Sequence, residues 1–526
     1  MIKDTDIRLS AREAADPQAV RTHAAKALGI RPGSVRDLKI IRRSIDARRR
    51  PVKVQLSVMV AWGDDATVPT NYAPVCFPDV SHAERNVVIV GAGPAGLFAA
   101  LKAIELGVRP IVLERGKDVD ARRLDIAAIC RGGTVDTDSN FCFGEGGAGT
   151  FSDGKLFTRS KKRGNVDEIL CLLHQHGARE EILTDAHPHI GSDRLPLIIK
   201  NIRETILSCG GEVYFGTRMS RILLSADSGE AIGVETADGR QYMGPVVLAT
   251  GHSARDVYRS LVADGIEVEA KGLAIGVRLE HPQHLIDSIQ YHSPQGRGKW
   301  LPPAEYSFVA QAGGRGVYSF CMCPGGVIVP AASGPGQLVV NGMSASARSS
   351  RWANSGMVVE LHPGDFPEFD SHGLLSMLAL QESLERDFYE AAGQSLTAPA
   401  QLMTDFINGR ASAALPDSSY RPAVAPGRLD KLLPTFIADR LREGLQTFGR
   451  RAPGFVSQQA LMVGLESRTS SPVRIPRDRE TMCHIRIRGL YPVGEGAGYA
   501  GGIVSAAIDG QNAVKAAFAH LSTIIE

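Results

Sequence analysis

Between residues 86 and 113 the chain alternates strand, helix and strand. Residues 86–90 read Asn-Val-Val-Ile-Val, an unbroken β-branched run of the kind found in parallel strands buried on both faces. A helical stretch runs from Leu97 to about Leu106 and stops at Gly107, and Pro110-Ile111-Val112-Leu113 reads as the next strand. Two more buried runs, Val246-Val247-Leu248 and Leu490-Tyr491-Pro492-Val493, predict further strands, and Ser505 to Gly510 is helical in pattern. Residues 1–80 predict a separate small α+β unit. It has a short strand near 6–9, a helix after Asp16-Pro17 that ends at Gly29, and strands at about 37–45 and 52–62. The turn between those strands carries Arg42, Arg43, Arg48, Arg49 and Arg50, read either as a solvated hairpin or as a basic patch that docks an anionic partner. No aromatic residue separates these arginines, which argues against single-stranded nucleic acid. A linker with Pro69, Pro74 and Pro78 follows.

The turn after the first buried strand is Gly91-Ala92-Gly93-Pro94-Ala95-Gly96, a GxGxxG in the strand-to-helix context that its mechanism requires. Gly91 permits the tight turn, Gly93 lets a pyrophosphate approach the backbone, and Gly96 lets helix and sheet pack closely. The helix N-terminus offers free N–H groups and about half a positive charge to the phosphates. Glu114, with Arg115 beside it, closes the second strand 23 residues beyond Gly91, where a carboxylate accepts ribose hydroxyls and repels a 2′-phosphate. The spacing therefore favours an FAD or NAD adenosine over NADP.

Composition sharpens this picture in one respect. Of 526 residues 43% are hydrophobic and 22% charged, with 59 basic and 57 acidic side chains, so no global field attracts nucleic acid or membrane. Glycine, however, occurs 56 times and concentrates in residues 140–155. There the backbone must pass close to something flat or anionic. Gly146, Gly147, Ala148, Gly149 and Thr150 are expected along a cofactor, and Lys155 is placed to hold negative charge. Eight cysteines without a CxxC make neither a disulfide scaffold nor a zinc ribbon. The polar opening residues and the lack of a long unbroken apolar run lead to the expectation of a cytoplasmic protein with no membrane span.

Val246–Gly251 ends in Ala249-Thr250-Gly251, and 489–496 ends in Gly494-Glu495-Gly496. Together with the first motif they resemble the glutathione-reductase-like FAD flavoproteins. That resemblance implies FAD. It also implies contact of Glu495 with the ribityl chain or a phosphate, and a helix N-terminus at Gly501-Gly502-Ile503 facing the flavin O2. Backbone near Met219, in a meander of strands, would meet adenine. Longer segments are similar to a bacterial family of FAD-dependent dehydrogenases of unassigned substrate. They include Ala186-His187-Pro188-His189-Ile190-Gly191, Ile275 to Pro282, Cys321-Met322-Cys323-Pro324-Gly325-Gly326, Val339 to Ser344 and Glu466 to Arg474. This resemblance covers nearly the whole chain. It implies an α/β fold: a Rossmann-like FAD-binding domain at 81–265 and 462–526, an inserted α+β substrate domain at 266–461, and the small N-terminal α+β domain at 1–80.

The chemistry is less legible. Only one dinucleotide fingerprint is present, and the CxxxxC or CxxC of pyridine-nucleotide-disulfide reductases is missing. Thr250-Gly251 replaces the Asp-Gly typical of aromatic hydroxylases, and the three tryptophans, Trp62, Trp300 and Trp352, do not form a halogenase signature. Cys321 and Cys323 are expected on one face of a strand, either as reactive thiols near flavin or as buried packing. His252 follows the Ala-Thr-Gly turn and is a further catalytic candidate. Arg468, in a charged cluster with Glu466 and Arg474, is expected to clamp a substrate carboxylate, to steady flavin charge or to pair within the interdomain wall. His187 and His189 are read as an ordered loop over FAD, and no metal set is identified. The leading expectation is an FAD-dependent oxidoreductase passing two electrons between a small organic substrate and noncovalent FAD, with NAD(P)H open as a transient reductant. A redox relay or sensor that docks a protein partner through residues 1–80, and an NAD(P)H-driven monooxygenase, are the alternatives.

Overall fold

The computed structural model describes residues 1–63, 66–69, 72–158 and 164–522. Parts of the linker and the end of the expected 462–526 segment thus lie outside the described residues. The N-terminal unit is a three-stranded antiparallel sheet in the order Ile2–Leu9, Lys53–Trp62, Val35–Asp46, covered on one side by the helix Pro17–Leu28. Asp16 caps that helix, its carboxylate accepting from Gln18 N at 2.9 Å, and Gly29 ends it in the left-handed conformation. Val54, Leu56, Val58 and Val60 alternate inward and form the unit's core with Val20 and Ala24.

The arginine-rich turn is not a free hairpin. Arg43 pairs through its backbone with Thr184 and Ala186, and Ile45, Ala47 and Val52 pack against the core of the large antiparallel sheet described below. Asp46 neutralises Arg8 and Arg48 locally, at 2.6 and 2.8 Å.

A five-stranded parallel sheet lies at the centre, in the order Leu490–Pro492, Val246–Leu248, Asn86–Val90, Arg109–Leu113, Glu212–Tyr214. The helices Pro94–Glu105 and Ile503–Ser522 pack together on one face. Their crossing is close because Gly510 faces the Ala95 carbonyl, where a Cβ would have no room. A three-stranded meander, Met219–Leu224, Ala231–Thr236 and Gln241–Met243, covers part of the other face.

The second large sheet has seven strands, in the order Val309–Ala312, Arg315–Cys323, Trp352–Leu361, Leu273–Pro282, Leu461–Glu466, Ala398–Leu402, Val424–Pro426. All neighbours are antiparallel except the last pair. The helix Thr435–Arg451 buries Ile437, Leu441, Leu445 and Phe448 against it, an i, i+4, i+8, i+11 stripe. Residues 461–466 are a strand of this sheet, so the chain returns to the parallel sheet only after Glu466. The boundary expected at 462 falls inside that strand.

The two large sheets are joined through buried charge. Glu385, on the helix Ser376–Ala391, is fully buried and accepts from Arg255 (2.7 Å), Ser467 (2.7 Å) and Arg468 (3.0 and 3.1 Å). Burial alone would raise its pKa, but the two guanidinium groups hold it down at about 2. Glu385→Gln leaves Arg468 without its counter-charge and Arg255 with only the more distant Glu382, at 3.7 Å. It is expected to cost about 3–5 kcal/mol, read as a lower urea midpoint. Because the folded pKa is depressed, this contribution is complete above the unfolded carboxylate value and is lost as pH falls toward 2. Acid titration of stability is therefore expected to be shallower in the variant than in the natural protein.

Candidate functional site

A single long cleft, of about 320 Å³, runs between the ends of the parallel strands and the antiparallel sheet, a volume within the range usual for ligand pockets. Its first stretch is the strand–turn–helix at 86–105. Gly91 has φ +106°, and a Cβ there would lie 2.5 Å from the Ala249 carbonyl oxygen. Gly96 abuts the Gly91 carbonyl, again with no room for a side chain. Gly93 is different: a Cβ placed on it meets no atom within 4 Å, and the same is true of Gly251. Those two backbone positions face open space inside the cleft, in front of the helix that begins at Pro94 and Ala95.

Glu114 is buried at one end of the cleft. Its carboxylate accepts from Ala92 N (2.9 Å), Gly116 N (2.9 Å) and Gly144 N (3.0 Å), tying together the first turn, its own strand end and the glycine-rich loop. Arg115 lies beside it, bound to both oxygens of Asp256 at 2.9 and 2.6 Å and stacked on Phe143 at 4.5 Å. Met219 closes this end.

The glycine-rich loop is held from behind by Arg122, a residue with no sequence signal. Its fully buried guanidinium donates to the carbonyls of Asn140 (2.8 Å), Phe141 (3.1 Å) and Glu145 (2.8 Å). Gly147, Ala148 and Gly149 line the cleft, whereas Gly146 and Thr150 stand behind it. Thr150 closes the loop by donating to Glu145 O at 2.8 Å. Ala249, Thr250 and Gly494 form the middle of the floor. Gly494 N donates to Asp509 at 2.8 Å, which fixes the turn that carries Glu495. Glu495 faces His252, Oε2 to Nδ1 at 3.2 Å, and both line the cleft with Gly501, Gly502 and Ile503 at the start of the C-terminal helix.

The far end is charged. Asp153 is buried and grips Arg348 with both oxygens, at 3.1 and 2.6 Å, and lies 3.1 Å from Lys155 Nζ. The Lys155 ammonium is buried, with Asp153 as its counter-charge. Arg348 and Asp153 were missed by sequence reasoning because their partnership spans 195 residues.

Cys321 lines this end, and Cys323 lies buried behind it. The expectation that both thiols share one strand face is not met. Phe320 pairs with Gly356 and Cys323 with Asn354, so a bulge intervenes, and Cys321 adopts φ +45°. Cys321 is open to the cleft as a result. The Arg278 guanidinium, fully buried, donates to Cys321 O at 2.7 Å, to Asn354 Oδ1 at 2.9 Å and to Cys323 Sγ at 3.4 Å. A hydrogen bond from the Cys323 thiol, with Lys155 and Arg278 nearby, pulls the Cys321 thiol down to about 5 and pushes Cys323 up. Burial raises Glu466 to about 7 against the opposing pull of Arg278, 3.4 Å away.

The expected cluster of Glu466, Arg468 and Arg474 is three separate pairs. Glu466 meets Arg278, Arg468 meets Glu385, and Arg474 meets Glu269 near the surface at 3.6 Å. Each pair is set by tertiary neighbours far away in sequence. Arg468 reaches the cleft wall, but its N–H groups are directed at Glu385, Ser333 (2.7 Å), Ser253 (3.3 Å), Gln337 (2.9 Å) and Cys142. It serves as a brace between the sheets. His187 and His189 do not line the cleft: His187 faces Glu305 at 3.6 Å and His189 bonds Ser346 O at 3.2 Å.

The parallel sheet, its glycine turn and the acidic strand end define a Rossmann-type dinucleotide-binding architecture. Residues 272–469 match the family model described as FAD-dependent protein, C-terminal domain-like. The whole chain is 39% identical over 527 residues to an uncharacterized protein of Clostridium beijerinckii, covering 97% of each chain, and it belongs to the family which that protein represents. Structural likenesses are distant. A geranylgeranyl bacteriochlorophyll reductase-like protein from Thermoplasma acidophilum is 13% identical, with a TM-score of 0.36 over 84% of this chain and 80% of that one. An oxidoreductase from Methanosarcina mazei is 13% identical, with a TM-score of 0.31 over 84% of this chain and 100% of that one. These scores are too low to carry an argument. Among the described residues, no helix is long and apolar enough to cross a membrane, and no group of three or more His, Cys, Asp and Glu could hold a metal ion.

Gly93 supplies a test of the cleft. Gly93→Val meets no protein atom at its Cβ, so the chain is expected to fold, with the melting temperature of the cofactor-free protein little changed. The same side chain blocks backbone approach by a pyrophosphate, and the ratio of bound dinucleotide to protein is expected to fall by at least about tenfold. Absorbance of the purified variant measures both protein and cofactor.

Proposed function

We propose that this protein is an oxidoreductase that binds FAD noncovalently along the cleft and passes two electrons between it and a small organic substrate. The observation that carries this reading is the continuity of one cleft, from the buried Glu114 at one end to Lys155, Cys321 and the Gly501-Gly502 turn at the other. Glu114 is placed to accept the ribose hydroxyls, the N-terminus of the helix Pro94–Glu105 to face the pyrophosphate, and Glu495 with His252 to meet the ribityl region. The open space at Gly93 and Gly251 fits a cofactor laid against backbone.

When bound, FAD supplies two-electron chemistry that no side chain can perform. The chain's own part is orientation, water exclusion and charge. Lys155 and the start of the helix at 503 present positive potential where a reduced cofactor gathers negative charge. The antiparallel sheet contributes the opposite wall through Phe320 and Cys321, with Asn341 and Gly342 from the short strand Val340–Met343 beside it, and the substrate is held between that wall and the cofactor. NAD(P)H is proposed only as a transient electron donor, since one dinucleotide turn is present.

Purified protein is expected to carry about one FAD per chain, released intact by heat. A chain that binds no flavin even when FAD is added would overturn the reading. Anaerobic addition of NADPH, then NADH, assigns the donor. Bleaching of the flavin absorbance places a nicotinamide in that role; an unchanged spectrum that bleaches with dithionite assigns it to an organic substrate or a protein.

A further inference from the structure

The charged end of the cleft holds more than an electron-transfer site needs. We propose that Cys321 and Cys323 form a redox-active dithiol, with Cys321 the nucleophile toward low-molecular-weight disulfides and Cys323 the thiol that resolves the mixed disulfide. The proposal rests on the preceding reading for its source of electrons and deepens it by naming a substrate class.

Backbone geometry is the first support. On a regular strand two residues of the same parity point the same way, and both cysteines would be buried or both exposed. The bulge between Phe320 and Cys323 breaks that rule, three steps on this strand facing two on its neighbour. Cys321 sits at φ +45°, a conformation that costs a non-glycine residue energy and persists only where surrounding structure imposes it. The outcome is one thiol at the cleft and its neighbour buried two residues away, with Cys323 Sγ turned back to 3.4 Å from the Cys321 carbonyl.

The second support is buried positive charge beside the pair. Arg278 is fully buried and touches both residues of the pair. Lys155 Nζ is buried beside Asp153, and the Nδ2 of Asn354, a wholly buried side chain paired across the strand from Cys323, has no hydrogen-bond acceptor. An unmet donor of this kind is costly unless something anionic or polar visits it. A thiolate on Cys321, or the leaving thiolate of a substrate, supplies such a group. Burial pushes the thiols of Cys130, Cys171 and Cys483 the other way, up.

The chemistry balances as follows. The Cys321 thiolate attacks one sulfur of RS–SR; a Cys321–SR bond forms, the RS–SR bond breaks, and RS⁻ leaves to take a proton from solvent. Cys323 loses its proton and attacks the Cys321 sulfur; the Cys321–Cys323 bond forms and the second thiol leaves as RSH. The substrate disulfide has been reduced by two electrons and the protein pair oxidised by two. Reduced FAD, bound along the cleft, would supply the two electrons and one proton that return the protein disulfide to thiolate and thiol.

The test uses full-length holoprotein and glutathione disulfide under anaerobic conditions, quenched in acid and read by intact and peptide mass. The natural protein is expected to gain a Cys321–Cys323 disulfide, Cys323→Ser to retain one glutathione on Cys321, and Cys321→Ser to show neither. Iodoacetamide at pH 6.5 on the unmutated protein gives a second readout that needs no variant. Cys321 is expected to alkylate at least about tenfold faster than any other cysteine. Absence of the adduct on Cys323→Ser together with slow alkylation of Cys321 overturns the proposal, whether or not flavin is bound. Trapping at Cys321 in a chain without flavin would uphold the thiol chemistry and overturn the flavin reading instead.

Discussion

The cleft depends on a clasp of buried charge. Glu385 comes from a helix of the antiparallel half, Arg255 from the helix that follows the Ala-Thr-Gly turn, and Arg468 from the segment where the chain returns to the parallel sheet. Apolar packing can hold two sheets together over a range of sliding positions. A fully buried carboxylate shared by two guanidinium groups cannot slide, because any displacement leaves charge unpaired in a poor solvent. Arg468 then passes the constraint on to Ser253, Ser333 and Cys142 along the cleft wall. The spacing between the two walls, and therefore the shape of whatever lies between them, follows from this contact.

Much of the parallel half was readable from sequence because its rules are local. The turn 91–96, its helix, observed as Pro94–Glu105, and the strand ending at Leu113 lie within one supersecondary unit, where each glycine answers to neighbours a few residues away. The remainder was hidden because its rules are not local. Asp153 and Arg348 meet across 195 residues, and Arg468 and Glu385 across 83. Arg122 looks like one more charged residue on a helix, yet its guanidinium organises three loop carbonyls. The bulge at Cys321 arises from pairing with Trp352–Leu361, a strand that nothing in Arg315–Cys323 specifies. The arginine-rich turn is legible only in part: Arg42, Arg48, Arg49 and Arg50 are exposed on a hairpin as its charges suggest, but the apolar Ile45, Ala47 and Val52 decide where it goes.

The thiol end of the cleft shows how such non-local rules become chemistry. Arg278 carries a charge that cannot be shed, while burial raises the pKa of its counter-ion Glu466 against the pull of that charge. A thiolate on Cys321 draws on the same cation and on Lys155, and it opposes ionisation of Glu466. Thiolate and carboxylate thus compete for one set of positive charges.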